Sequence, residues 1–296
     1  TDGFVSFIDF GPTVLNLAGL KPPKLADGRA FLGKDVSAKD LAARDEAFGY
    51  ADRFDEKYDL VRTLRKGKYT YIRNLQGYYP DALQNNYRYR MLAFREWREL
   101  FDAGKLGAAQ SQFHQRRPAE QLFDVEADPH QVRNLAADPK YALVLHNLRA
   151  ALNKKLRDIN DLSFYPESQM VAVALGNGVA YGKKHSEEIA RLADIADLAL
   201  KKPYALAQKP LAQAMASRIP WERYWACTTA SVIGQPAKPL IPNAKKLLND
   251  ENLMVRMRAA EFLGSIQAAD PMPTLLGVLN TAKTEQELML TFNAVV

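Results

Sequence analysis

The chain contains one cysteine, Cys227, and four histidines in 296 residues. A lone thiol excludes an internal disulfide framework and any metal site built from several cysteines. His114, His130, His146 and His185 are scattered, and none stands in a His-x-x-x-His or His-x-Glu pair that would put two ligands on one metal. A Gly-rich phosphate loop is missing too, because GNG at 176–178 and GKK at 182–184 lack its spacing and a preceding strand. No run approaches the roughly 18 apolar residues of a membrane span. The opening TDGFVSFIDF has no initiator Met and none of the order of a signal peptide. Cys227 sits in ACTTAS on an expected buried helix with no histidine near it in sequence, so it reads as a packed thiol and not as a nucleophile. Catalysis is not visible in these residues.

What is present is ordinary globular composition, long enough for about two domains at roughly 150 residues each. The net charge of +6 is uneven: Arg53 to Arg117 holds 14 Lys+Arg against 7 Asp+Glu, a net of +7, so the rest is near neutral. The same stretch carries seven of the 13 tyrosines and Trp97. Cations interleaved with flat rings suit nucleic acid, sulfated glycan or acidic protein, and they equally suit solvated charges on amphipathic elements.

Local patterns organise the chain. FVSFIDF alternates and predicts a strand, running into a short helix over PTVLNLAG between Pro12 and Gly19. FGYAD, DLVRTLR and YTYIRN predict strands, the last two joined at Lys66-Gly67-Lys68 as a hairpin. YRYRMLAFREWRELFDAGK predicts one helix with Tyr89, Leu92, Phe94, Trp97, Leu100 and Phe101 on its apolar side and Gly104 as its stop. QLFDV predicts a strand closed by Asp-Pro, then a turn held by Asn134, then a second Asp-Pro opening a helix striped by Leu143, Leu145, Leu148, Leu152 and Leu156.

Beyond Pro166 only short amphipathic helices are expected. ERYWACTTASVIG aligns with NLMVRMRAAEFLG at an offset of 30, superposing Trp225 on Val255, Ala230 on Ala260, Ile233 on Leu263 and Gly234 on Gly264. The stretch LIPNAKKLLNDENLMVRMRAAEFLG resembles a HEAT repeat, which implies an α-solenoid; a plain helical bundle is the alternative. The last helix lacks the polar face of a terminal repeat, and the chain is expected to be cut at both ends.

Three ordered motifs resemble sulfatases over about residues 4–160. FVSFIDFGPTVLNLAGLKPP with DGRAFLG is similar to the segment leading from the catalytic domain toward the C-terminal subdomain. RTLRKGKYTYIRN resembles that subdomain's strand pair, and LFDVEADPHQVRNLAADPKYALVL resembles its closing motif. ADRFDEKYDLVRTLR looks most like the branch of the heparan N-sulfatases, the sulfoglucosamine sulfohydrolases. The resemblance implies an α+β fold, with residues 1–165 a small antiparallel sheet and covering helix and residues 166–296 an all-α HEAT-like solenoid. It implies hydrolysis of sulfate esters or N-sulfo groups, by a nucleophile oxidised to formylglycine in a Cys/Ser-x-Pro-x-Arg motif and assisted by calcium. Cys227 has Thr229 and Ser231 where that proline and arginine would stand, so no catalytic residue and no metal ligand is assigned here. Both groups are expected in an upstream catalytic domain of the same polypeptide, and this chain alone is expected to be inactive.

By the same resemblance this part shapes the substrate pocket, and the candidate substrate-binding residues are Arg53, Asp55, Glu56, Arg62 and Arg65. Guanidinium forks suit sulfate or carboxylate, and carboxylates suit sugar hydroxyls or an amine. The implied ligand is a sulfated glycan or another sulfate ester rather than nucleic acid, and the implied location is periplasmic or secreted. The other reading is a non-catalytic interaction or glycan-binding module, with a protein partner on the helical array.

Overall fold

A computed structural model describes residues 3–295. The architecture is α+β. Strands β1 (Glu46–Phe54), β2 (Lys57–Lys66), β3 (Tyr69–Asn74) and β4 (Glu120–Asp124) form one antiparallel sheet in the order β1-β2-β3-β4. The helices are α1 (Phe10–Leu17), α2 (Ala38–Ala42), α3 (Asn86–Tyr89), α4 (Leu92–Asp102), α5 (Ala108–Ser111), α6 (Ala142–Asp158), α7 (Glu167–Val173) and α8 (Gly178–Lys184). After them come α9 (Ser186–Asp197), α10 (Ala205–Met215), α11 (Pro220–Ile233), α12 (Ile241–Leu247), α13 (Leu253–Ser265), α14 (Met272–Thr281) and α15 (Glu285–Val295). Among the described residues no strand follows β4, as the amphipathic texture beyond Pro166 predicts.

Two compact units are distinguished, one of Thr1–Gly49, Thr63–Ile72 and Leu122–Arg149, the other of Tyr50–Arg62, Arg73–Gln121 and Ala150–Val296. These units follow a different line from a division at residue 165.

In the first unit the expected strand over FVSFIDF is absent. A 3₁₀ turn over Phe7–Asp9 runs directly into α1 instead. Local capping overrides the alternating pattern: the Asp9 carboxylate accepts the Ser6 amide at 3.0 Å and the Arg29 amide at 2.8 Å, and Arg44 lies 3.7 Å from it. Gly67 takes φ +53, the left-handed value that the Lys66-Gly67-Lys68 turn demands and that glycine adopts without a Cβ clash. The Asn134 side chain accepts the amides of Leu122 and Ala136, both at 3.0 Å, and so fixes the turn after β4.

Asp138 caps the second Asp-Pro and α6 follows. Leu145, Leu148, Leu152 and Leu156 are its buried stripe, whereas Leu143 is exposed because two residues before Leu145 is the opposite side of a 3.6-residue helix.

In the second unit, the single helix expected over residues 87–105 is broken. Met91 is extended at ψ 129 between α3 and α4, and Leu92 faces solvent. Gly104 stops α4 at φ +66. Farther along, α10 packs on α11, α12 on α13, α13 on α14 and α14 on α15, with α11 against α13. At the offset of 30, Trp225 and Val255 are both fully buried, as are Ala230 and Ala260, whereas Ile233 is only half-buried where Leu263 is fully buried. Their glycines differ in cause. Gly234 has φ +74, while a Cβ on Gly264 would sit 2.7 Å from the Pro271 ring.

Candidate substrate-binding site

The β1–β2 hairpin turns on Asp55 and Glu56, and Asp55 carries φ +50, a left-handed conformation that aspartate tolerates better than most side chains. Asn85 Nδ2 donates to Phe54 O at 2.9 Å and to Asp55 Oδ2 at 3.3 Å. The Asn86 amide donates to both Glu56 carboxylate oxygens, at 3.3 and 3.2 Å. From α15, Asn293 Nδ2 donates to Glu56 O at 2.8 Å while its Oδ1 accepts the Tyr58 amide at 3.0 Å. The turn is thus held from two sides.

Arg53 forks onto Glu167 of α7, with Nε 2.7 Å from Oε1 and Nη2 on Oε2, and its Nη1 donates to Asp55 O at 3.1 Å. Its guanidinium lies 5.2 Å from the Tyr58 ring centre. Arg62 points inward and is 2% exposed. It donates to Asp161 from Nε at 2.7 Å and Nη2 at 3.2 Å, and to Asp52 from Nη1 at 2.6 Å. Burial alone would pull its pKa down; Asp161 and Asp52 outweigh that and raise it, so the cation is fixed. Arg53, Asp55 and Glu56 therefore gather at one turn, whereas Arg62 is committed to an internal pair. Arg65 belongs to the first unit, where it is exposed, with its guanidinium 5.1 Å from the Phe4 ring centre and Nε 3.3 Å from Gly67 O.

Part of the local excess of positive charge is answered by acids that lie elsewhere in sequence. Arg62 meets Asp161, Arg53 meets Glu167, and Arg73 lies 3.5 Å from Asp197. Arg117 instead pairs inside the stretch, donating to Asp59 at 2.7 Å and to Asp81 at 3.2 Å. The three pairs with outside acids lower the free charge that a count over residues 53–117 suggests.

A second polar centre has no counterpart in the sequence expectations. Arg258 of α13, 1% exposed, donates to Tyr78 Oη at 2.8 Å, Tyr79 Oη at 3.3 Å, Tyr224 Oη at 2.8 Å and Glu261 Oε2 at 2.6 Å. Glu261 in turn accepts the hydroxyls of Tyr78, at 2.9 Å, and Tyr79. Burial raises the pKa of all three tyrosines and keeps them neutral, Tyr78 and Tyr79 as donors to Glu261 and Tyr224 as an acceptor from Arg258. The sequence signal is Arg258 and Glu261, three apart in a mostly apolar helix.

Cys227 is fully buried in α11, and burial pushes its thiol well above the usual range. A thiol held neutral and out of reach is the opposite of an activated nucleophile. Among the described residues no group of three His, Cys, Asp or Glu side chains could hold a metal ion. No helix among the described residues is long and apolar enough to cross a membrane.

No protein-family model matches the chain. An ulvan-active sulfatase of Formosa agariphila is 39% identical over 171 residues, covering 56% of this chain and 28% of that protein. A second ulvan-active sulfatase of the same bacterium is 24% identical over 147 residues, 49% of this chain and 27% of its own length. A crystal structure from Bacteroides thetaiotaomicron VPI-5482 matches 50% of this chain and 24% of its own at 20% identity, with a TM-score of 0.33. The likeness is thus to sulfatases, and the chain spans little more than a quarter of the length of these curated relatives.

Proposed function

We propose that this chain is the C-terminal portion of a sulfatase acting on a sulfated polysaccharide, a part that shapes the substrate pocket while an upstream domain carries the chemistry. The observation that carries the reading is the 39% identity over 171 residues to an ulvan-active sulfatase. Surface composition supports it: Phe7 and Leu25 are 90% and 94% exposed, and Ile8, Phe10, Val14, Leu17 and Leu20 are also exposed. So many large apolar side chains in one short segment suit a surface covered by more protein.

In this reading the hairpin is the wall of the pocket. Asp55 and Glu56 address sugar hydroxyls, and Arg53 and Arg62 position the hairpin through Glu167, Asp161 and Asp52; Arg65, in the first unit, separately addresses an anionic group. Residues 1–165 form the sulfatase subdomain and 166–296 a HEAT-like solenoid. The branch is that of the sulfamate-cleaving enzymes, calcium and formylglycine belong to the upstream domain, and the protein works in the periplasm or outside the cell. The test is sulfate release from ulvan, an aryl sulfate and N-sulfoglucosamine, with calcium, by this chain and by the longer polypeptide made in a host that forms formylglycine. Release by the longer protein alone is expected. Turnover by this chain that survives Cys227→Ala refutes the reading, and a longer protein inert on every sulfated substrate moves it to a non-catalytic interaction module.

A further inference from the structure

We propose that the cavity between the Tyr78–Gln84 segment and helices α13 and α15 binds an organic anion: one carboxylate or sulfate group on an aromatic or short aliphatic body. The cavity measures about 490 Å³ and abuts a second of about 220 Å³, with which it shares Leu83, Gln84 and Asn293. This space is large enough for a ligand of one or two rings, and its two ends differ in chemistry.

The larger cavity supplies positive charge. Its one lining carboxylate, Glu261, is already neutralised by Arg258 and the two tyrosine hydroxyls. Arg98 and Arg116 line it as well, and neither has a carboxylate within ion-pair distance among the described residues. Both are anchored by neutral oxygens. Arg116 Nη2 donates to Ser231 O at 2.6 Å; Arg98 Nη1 donates to Gln84 Oε1 at 3.1 Å, and its guanidinium lies over the Tyr89 ring at 3.3 Å. Two guanidiniums held in place without counter-ions are a site for an anion.

The rest of the wall selects the body. Asn293 spends its amide on Glu56 O and Met289 O, and Ser265 Oγ donates to Phe262 O at 2.9 Å. A polyhydroxylated ligand would find few free partners. The smaller cavity instead presents Leu83, Met289 and Phe292, which is 54% exposed, together with Glu56, whose carboxylate accepts the Asn86 amide. A pocket of apolar walls with a few convergent charges is the usual design for a small organic ligand.

The test is calorimetric titration of the whole chain with 2-naphthoate, its neutral analogue 2-naphthylmethanol, and sodium sulfate. Naphthoate is expected to bind at least about tenfold more tightly than either comparison, and Arg116→Gln to weaken it by at least about tenfold, the effect of losing one charge-assisted hydrogen bond. Phe292→Ala should weaken naphthoate and leave sulfate unchanged. Unaltered circular dichroism checks that each variant folds. No binding of naphthoate, equal binding of the neutral alcohol or of sulfate, or an affinity untouched by both Arg116→Gln and Arg98→Gln overturns the proposal. Because the probe carries no sulfate and is not turned over, these outcomes leave the sulfatase reading standing or falling on its own assay.

Discussion

Replacing Arg258 by Met should destabilise the second unit by about 3 kcal/mol. Removing one member of a buried ion pair costs about 3–5 kcal/mol because the other charge is left uncompensated. Here Glu261 keeps two phenol donors, Tyr78 at 2.9 Å and Tyr79, which places the loss at the lower end. Tyr224 Oη loses the donor at 2.8 Å that it accepts, a smaller penalty. Replacing Glu261 by Leu should cost a similar amount, since Arg258 would then face only phenol oxygens. The double variant should not regain full stability, because three buried hydroxyls lose their partners, yet it should lose less than the two single changes added together by more than about 1 kcal/mol. Urea unfolding followed by fluorescence is the assay. Trp225 is a suited reporter: it is fully buried and donates Nε1 to Phe164 O at 2.6 Å. Additivity within about 0.5 kcal/mol would mean that the pair does not act as a unit and would refute the reasoning.

Three further outcomes are expected. Asn134→Ala removes the acceptor of two backbone amides and should lower stability by about 1–3 kcal/mol, read as an earlier urea midpoint. Asp124 has its pKa lowered, chiefly by the Lys68 hydrogen bond at 2.7 Å, so the stability it contributes is present above its ordinary value of 3.8 and is lost as pH falls through the lower folded value. Thermal melts of Asp124→Asn from pH 5 to pH 2 should therefore fall less steeply than those of the parent; an identical slope would deny the linkage. Arg65→Glu should lower the salt concentration at which the chain leaves a heparin column without changing its melting temperature, whereas Arg62→Glu should unfold it by placing a third acid beside Asp161 and Asp52.

Elements specified by neighbours in sequence were legible before any coordinates. The Lys66-Gly67-Lys68 hairpin, the Asn134 turn and the Asp138 cap all rest on contacts within about a dozen residues. The same locality explains FVSFIDF, where the Ser6–Asp9 cap prevails over the alternation of apolar residues. The break at Met91 carries no proline or glycine to announce it. For the candidate site the distances in sequence are longer: Arg62 meets Asp161 99 residues away and Arg53 meets Glu167 114 residues away. Residue type alone offered five charged side chains and could not say which of them the fold would turn inward. Tyr78 and Arg258, 180 residues apart, fall in the same class.

The only thiol in the sequence is walled into α11. A maleimide or disulfide reagent can reach Cys227 only while that helix is transiently open, so the labelling rate, divided by that of an exposed thiol, measures the opening equilibrium directly. The chain thus carries its own clock for the breathing of its helical part. It needs no engineered probe, and any ligand of the second unit that binds the closed form will slow that clock in proportion to its occupancy.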